Sequence, residues 1–275
     1  MYQSYHSYQQ DIVYALGNNQ NPLPALESLE LDGWHYDDDE MLLFDEAPIT
    51  QLAASLRHLS FTVPKSTMIN KLESVERFWK QVLVRRVLQP AVHLESLVIT
   101  GNAERRREAQ CFDVSQVQFP RLAALSLRHI IWEDVTSDQD DTVPLEFIMR
   151  HQKTLKELEL HNCAINVRNR FGPPHRYWAD INKRLANALT GLVELYVDFQ
   201  FEDSAQEIPY VHFEGHHSPR ICLNKDDFKG KAPDDALAQD ALALEEFRVS
   251  VESQGMGCGD SMRGFDDRRD ARSGG

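Results

Sequence analysis

An α/β fold built on a parallel sheet is predicted by three observations. One pattern recurs six times: a leucine, a leucine three residues on, and an aliphatic or aromatic residue two beyond that. The copies are Leu26–Leu29–Leu31, Leu56–Leu59–Phe61, Leu94–Leu97–Ile99, Leu122–Leu125–Leu127, Leu155–Leu158–Leu160 and Leu192–Leu195–Val197. Positions four and six of each copy fall on one face of a strand, because side chains alternate with period two. Successive first leucines lie about 33 residues apart, which leaves room for a helix and a loop between strands. Together these predict a leucine-rich-repeat solenoid, with a curved parallel sheet on the concave side and helices on the convex side.

Taken in order, residues 1–22 hold one apolar cluster, Ile12 to Leu16, read as an N-terminal cap or the remnant of a preceding repeat. Residues 23–251 form the repeat domain of about seven turns. Pro48 and Pro144 suit the first turns of short helices. From Met68 to Leu88, Ile69, Leu72, Val75, Trp79, Val82 and Leu83 make a single helical stripe. Tyr177 to Thr190 does likewise through Trp178, Ile181, Leu185 and Leu189, and Gly191 follows where a left-handed cap is expected. Residues 200–232, rich in charge, His and Pro, read as an insertion or long loop. Asp234 to Ala243 predicts a helix before a looser seventh copy, Leu244–Phe247–Val249. The stretch 252–275 carries six of the 13 glycines and few large apolar groups, which predicts a disordered tail.

The charge balance, 43 acidic against 29 basic residues, disfavours nucleic acid, since phosphate binding wants a basic face. It suits a protein partner with a basic patch. The basic clusters Arg85–Arg86 and Arg105–Arg107 read as solvated surface. No run approaches the roughly 20 apolar residues needed to span a bilayer, and the polar start MYQSYHSYQQ lacks the features of a secretory signal. Cys111, Cys163, Cys222 and Cys258 are scattered without a CxxC, as expected of reduced thiols in an intracellular protein, cytoplasmic or nuclear.

If positions four and six point inward, then three, five and seven form the recognition surface. From this strip the partner-binding candidates are Glu30, Asp32, His58, Arg128, Glu157, Glu159, His161, Glu194, Tyr196 and Asp198. The seventh copy would add Glu246, Arg248 and Ser250. Counting it, seven carboxylates face two arginines.

Other chemistry is less well signalled. Asn102 and Cys163 occupy the repeat position where an amide or thiol supports the turn. His212, His216, His217 and Cys222 are metal-ligating types, but Gly215 and Pro219 argue against a helix there, and the spacing matches no zinc pattern. A metal-binding protein using this 212–222 loop is the alternative reading. Asp37–Glu40 and Asp138, Asp140 and Asp141 lack the ligand spacing of a calcium loop. There is no GxSxG, GxxxxGK[ST] or HExxH. The expectation is a non-enzymatic scaffold without cofactor.

One stretch is more specific. Phe119, Pro120, Leu122, Leu125 and Leu127 are followed by Phe147, Ile148 and His151. Lys153, Thr154, Leu155, Glu157, Leu158, Leu160 and Cys163 complete the run. It resembles the leucine-rich region of fungal F-box-type proteins, and Trp178 to Leu195 resembles the helix and repeat that follow there. The likeness covers roughly residues 20–200 in pattern and about 50 in specific motif. It implies substrate recognition within a ubiquitin ligase, with a Skp-type adaptor held by an F-box. No F-box is found here, because Leu23–Pro24 already opens a repeat, so adaptor docking would need one outside this chain. The other reading is a stand-alone binding module.

Overall fold

A computed structural model describes residues 26–31, 46–62, 78–101, 114, 117–133, 143–167, 174–198, 207–212, 221–224 and 235–255. Each exact copy of the leucine pattern forms a strand: β1 (Ser28–Leu31), β2 (His58–Thr62), β3 (Ser96–Thr100), β4 (Ala124–Arg128), β6 (Glu157–His161) and β8 (Glu194–Asp198). They make one parallel sheet in the order β1-β2-β3-β4-β6-β8.

The register aligns the pattern position by position. Leu29, Leu59, Leu97, Leu125, Leu158 and Leu195 form one row, and Leu31, Phe61, Ile99, Leu127, Leu160 and Val197 another. Both rows are buried through the middle of the sheet; at its edges Leu29, Leu31 and Leu195 are half-buried and Val197 is buried. A one-residue slip in any strand would turn its leucines outward, so burial itself fixes the register. The leading leucines Leu56, Leu94, Leu122, Leu155 and Leu192 are buried behind the strands.

Backbone bonds also link the turns beside the strands. Gly101, His129 and Asn162 donate N–H to the carbonyls of Arg128, His161 and Asp198 at 2.7, 2.8 and 2.7 Å. His129 and Asn162 take left-handed φ values of 55° and 50° to do so. A Cβ at Gly101 would lie 2.8 Å from the His129 carbonyl oxygen, so only glycine fits without a shift.

The long intervals hold helices: α1 (Glu46–Ser55), α2 (Phe78–Leu88), α3 (Val143–Arg150) and α4 (Trp178–Ala188). Pro48 and Pro144 sit in first turns, as expected. The helix predicted over 68–88 is observed from Phe78 on, with Leu83 of the predicted stripe buried, and is wound as a π-helix with Gln89 N–H donating to the Val84 carbonyl at 2.8 Å. Its earlier part lies outside the described residues. Helix α4 ends at Leu189, and Gly191 is not left-handed; its carbonyl accepts instead from Lys156 Nζ at 3.1 Å. Arg86 is buried rather than solvated, while Arg85 is exposed.

A second sheet is a departure from the sequence reading. The strands β5 (Ile131–Glu133), β7 (Ala164–Asn166) and β9 (Glu207–His212) pair in parallel, and β10 (Ile221–Asn224) joins β9 antiparallel. Segment 200–232, read from sequence as an insertion or long loop, thus contributes two strands. The larger correction concerns the seventh copy: Leu244, Phe247 and Val249 lie within helix α5 (Ala236–Gly255), not on a strand. Ala236, Asp240, Ala243, Phe247 and Val251 are buried at steps of four, three, four and four, one face of a helix. Residues 252–255 of the expected tail belong to this helix, and the remainder lies outside the described residues.

Helix α5 packs on α4 and along β8. Arg248 Nη2 donates to the Val197 carbonyl at 2.9 Å, and a Cβ at Gly255 would stand 3.7 Å from the Val193 carbonyl oxygen. The edge of the sheet is therefore covered.

Two buried polar fasteners lock these layers. The Asp240 carboxylate accepts from the Ala179 N–H at 2.7 Å and the Tyr210 hydroxyl at 2.6 Å, while that hydroxyl accepts from the Trp178 N–H at 3.1 Å. Orphan donors at the start of α4 are thereby satisfied from α5 and β9. Burial raises the Asp240 carboxyl to about 6, against the two hydrogen bonds that favour its anion. Because the folded value exceeds the ordinary 3.8, this contribution is complete below 3.8 and lost as pH rises through about 6. The difference corresponds to roughly 3 kcal/mol. Asp240→Asn should remove that part of the pH dependence, measured by chemical unfolding between about pH 4 and 7.

The second fastener is His151, 2 % exposed. Its Nε2 accepts the Phe119 N–H at 2.9 Å, which leaves the proton on Nδ1, 2.7 Å from the Phe147 carbonyl. The ring stacks on Phe119 at 5.8 Å and meets Phe147 edgewise at 4.6 Å. Arg150 adds bonds to the carbonyls of Val114 and Val117. The Phe-Pro and Phe-Ile-x-x-His motifs, 28 residues apart from Phe119 to Phe147, thus hold each other.

Candidate functional site

The side of the six-stranded sheet opposite the leucine rows is the more exposed one. Its side chains align as Ser28–His58–Ser96–Ala124–Glu157–Glu194 and Glu30–Ser60–Val98–Ser126–Glu159–Tyr196. A third row is Thr62–Thr100–Arg128–His161–Asp198. Along the first two rows, residues on β3 and β4 are short and those on β6 and β8 are long. This step leaves a recess of about 490 Å³, with Ser96, Val98, Ala124 and Ser126 among its lining and Arg128, Glu157, Glu159, Glu194 and Tyr196 beside them.

Most charges around it are already matched. Arg128 Nη2 meets Glu159 Oε2 at 2.9 Å, and its Nε donates to Ser126 Oγ at 3.0 Å. His161 Nδ1 lies 3.4 Å from Asp198 Oδ2, which also accepts from the Tyr196 hydroxyl at 3.4 Å. The amide of Asn162 stands 3.2 Å from His161 Nε2, and His129 meets the His161 ring edgewise at 5.6 Å.

Glu157 and Glu194 differ. They occupy paired positions on adjacent parallel strands, and among the described residues no cation neutralises either. Burial, and secondarily the Glu194 charge, pushes the Glu157 carboxyl up. Like charges side by side on a sheet face cost stability.

Of the residues picked from sequence, Arg128, Glu157, Glu159, Glu194 and Tyr196 meet at the recess. His161 and Asp198 lie in the next row, Glu30 and His58 share the face on β1 and β2, and Asp32 lies outside the described residues. Glu246, Arg248 and Ser250 are removed from the face because their segment is helical. Ser96, Val98, Ala124 and Ser126, positions three and five of their copies, are on the predicted strip but not among the partner-binding candidates. Their shortness beside long neighbours was the available signal.

The other candidates separate. His212 is buried, with Nδ1 2.7 Å from the Val167 carbonyl, and its paired residue across the hairpin is Ile221 while Cys222 pairs with Val211. His216 and His217 lie outside the described residues, as do Asn102 and both acidic clusters. Among the described residues no group of three or more His, Cys, Asp and Glu could hold a metal ion. Cys163 is fully buried, donates to the Leu127 carbonyl at 3.3 Å, and is pushed up to about 12, chiefly by burial. A thiol so held is a poor nucleophile and a good filler. No helix among the described residues is long and apolar enough to cross a membrane.

Comparison with protein-family models, curated proteins and solved structures finds no match. The face itself carries the functional argument.

Proposed function

We propose that this chain is a non-enzymatic recognition module, a leucine-rich-repeat solenoid whose concave face is the exposed side of the parallel sheet and holds a basic segment of another protein. The observation that carries this reading is the in-register face, where, among the described residues of its strands, Glu30, Glu157, Glu159, Glu194 and Asp198 stand against one arginine, Arg128. A preformed sheet presents such groups at fixed spacing, so little ordering cost accompanies binding. Electrostatic complementarity then selects partners by charge.

The resemblance of Phe119–Ile165 to fungal F-box-type proteins suggests the setting: the held protein would be a ubiquitylation substrate. A Skp-type adaptor would join through an F-box outside this chain. Phe119, His151 and Cys163, which carry much of that resemblance, are buried in the fold, so they support the repeat architecture rather than an adaptor site.

Affinity purification with mass spectrometry, comparing wild type with Glu157→Lys/Glu159→Lys/Glu194→Lys, tests the reading. Partners held by the acidic face should drop at least tenfold in the variant while its thermal unfolding remains cooperative. Equal recovery from both would remove the proposal. Co-purification of a Skp-type adaptor and a cullin favours the ligase setting; other partners without them favour a stand-alone module.

A further inference from the structure

We infer that the recess over β3, β4, β6 and β8 is a subsite for one arginine side chain of the bound partner. This rests on the reading of the sheet face as a recognition surface and names what that surface grips. The recess has the two halves such a side chain needs. Val98 and Ala124 offer apolar surface to a methylene stem, and Glu157 and Glu194 stand together for the charged head. On neighbouring strands roughly 4.8 Å apart, two carboxylates match the planar, forked donors of a guanidinium. Arg128 does not fill this role from within, because Glu159 and Ser126 hold it. Tyr196, 51 % exposed, presents its ring beside Glu194 and Glu159, where a guanidinium can stack on an aromatic face. A bound arginine would remove the like-charge cost that Glu157 and Glu194 carry in the free protein.

The test uses N-acetylargininamide as probe and the uncharged N-acetylcitrullinamide as control, followed by NMR on the full chain. Saturable shifts confined to β3, β4, β6 and β8, at least tenfold weaker with the citrulline compound, are expected. Glu157→Gln/Glu194→Gln should abolish them with a melting transition no lower than wild type, since the like-charge cost is removed; Glu194→Gln alone, at an exposed position, serves should the double variant fold poorly. No saturable shift, or equal response to both compounds, overturns the inference. A lysine analogue binding as tightly as the arginine one also overturns it, since the forked geometry would then be irrelevant. If the charge-reversed variant loses partners but the probe never binds, the recognition surface stands and this subsite falls.

Discussion

Leu158→Asp should abolish cooperative unfolding. Leu158 is 2 % exposed in the middle of the row that runs from Leu125 to Leu195. Aspartate there would place a carboxylate among buried leucines. Its desolvation, added to the lost apolar contact, exceeds about 4 kcal/mol, a large share of any domain's stability. Leu158→Met keeps volume and hydrophobicity and should cost less than about 1.5 kcal/mol. Thermal melts followed by circular dichroism distinguish them. A wild-type-like transition for Leu158→Asp would refute the inward placement of this row.

The next largest effect is expected at His151. Removing the ring in His151→Ala takes away its packing on Phe119 and Phe147 and strands the Phe119 N–H. The loss should be on the order of 3 kcal/mol or more. His151→Phe keeps an aromatic ring but drops the acceptor, which isolates a hydrogen-bond cost of about 1–3 kcal/mol. The pH profile gives an independent readout. Burial holds the imidazole below its ordinary 6.5, because the cation would be desolvated and Nε2 could no longer accept. Its contribution is complete above 6.5 and is lost as pH falls through the lowered value. His151→Phe should lack this acid-side loss. The Asp240 contribution runs the other way, growing as pH falls through about 6, so the two variants separate opposing limbs of one curve. If acidification destabilises His151→Phe as much as wild type, the neutral-imidazole assignment fails.

The six strands were legible because their signal repeats: each copy sets the same two positions inward, and stacking needs those positions to agree. The second sheet was not, for a reason visible in its residues. Ala164, Ile165, Asn166 and Val167 are all buried, so the segment has no alternation of polar and apolar positions to betray a strand. Helix α5 was misread at its C-terminal part because Leu244 and Phe247 are three apart, a spacing shared by the repeat pattern and a helix face. The uninterrupted burial period from Ala236 to Val251 decides between them. At the site, the acidic strip could be read from sequence, but the recess could not. It arises only when Ser126 and Glu159, 33 positions apart, are set side by side. Nothing local to Asp240 announces that Ala179, 61 residues earlier, donates to it.

Helix α5 lying along β8 has a consequence for how these molecules behave in a crowd. A parallel sheet is open-ended: its last rung offers bare amides and carbonyls that any extended chain can adopt as a template. With Arg248 occupying the Val197 carbonyl, that growth point is blunted by a side chain that cannot propagate the pairing. The same helix that stops the stack thus guards against intermolecular polymerisation at that end.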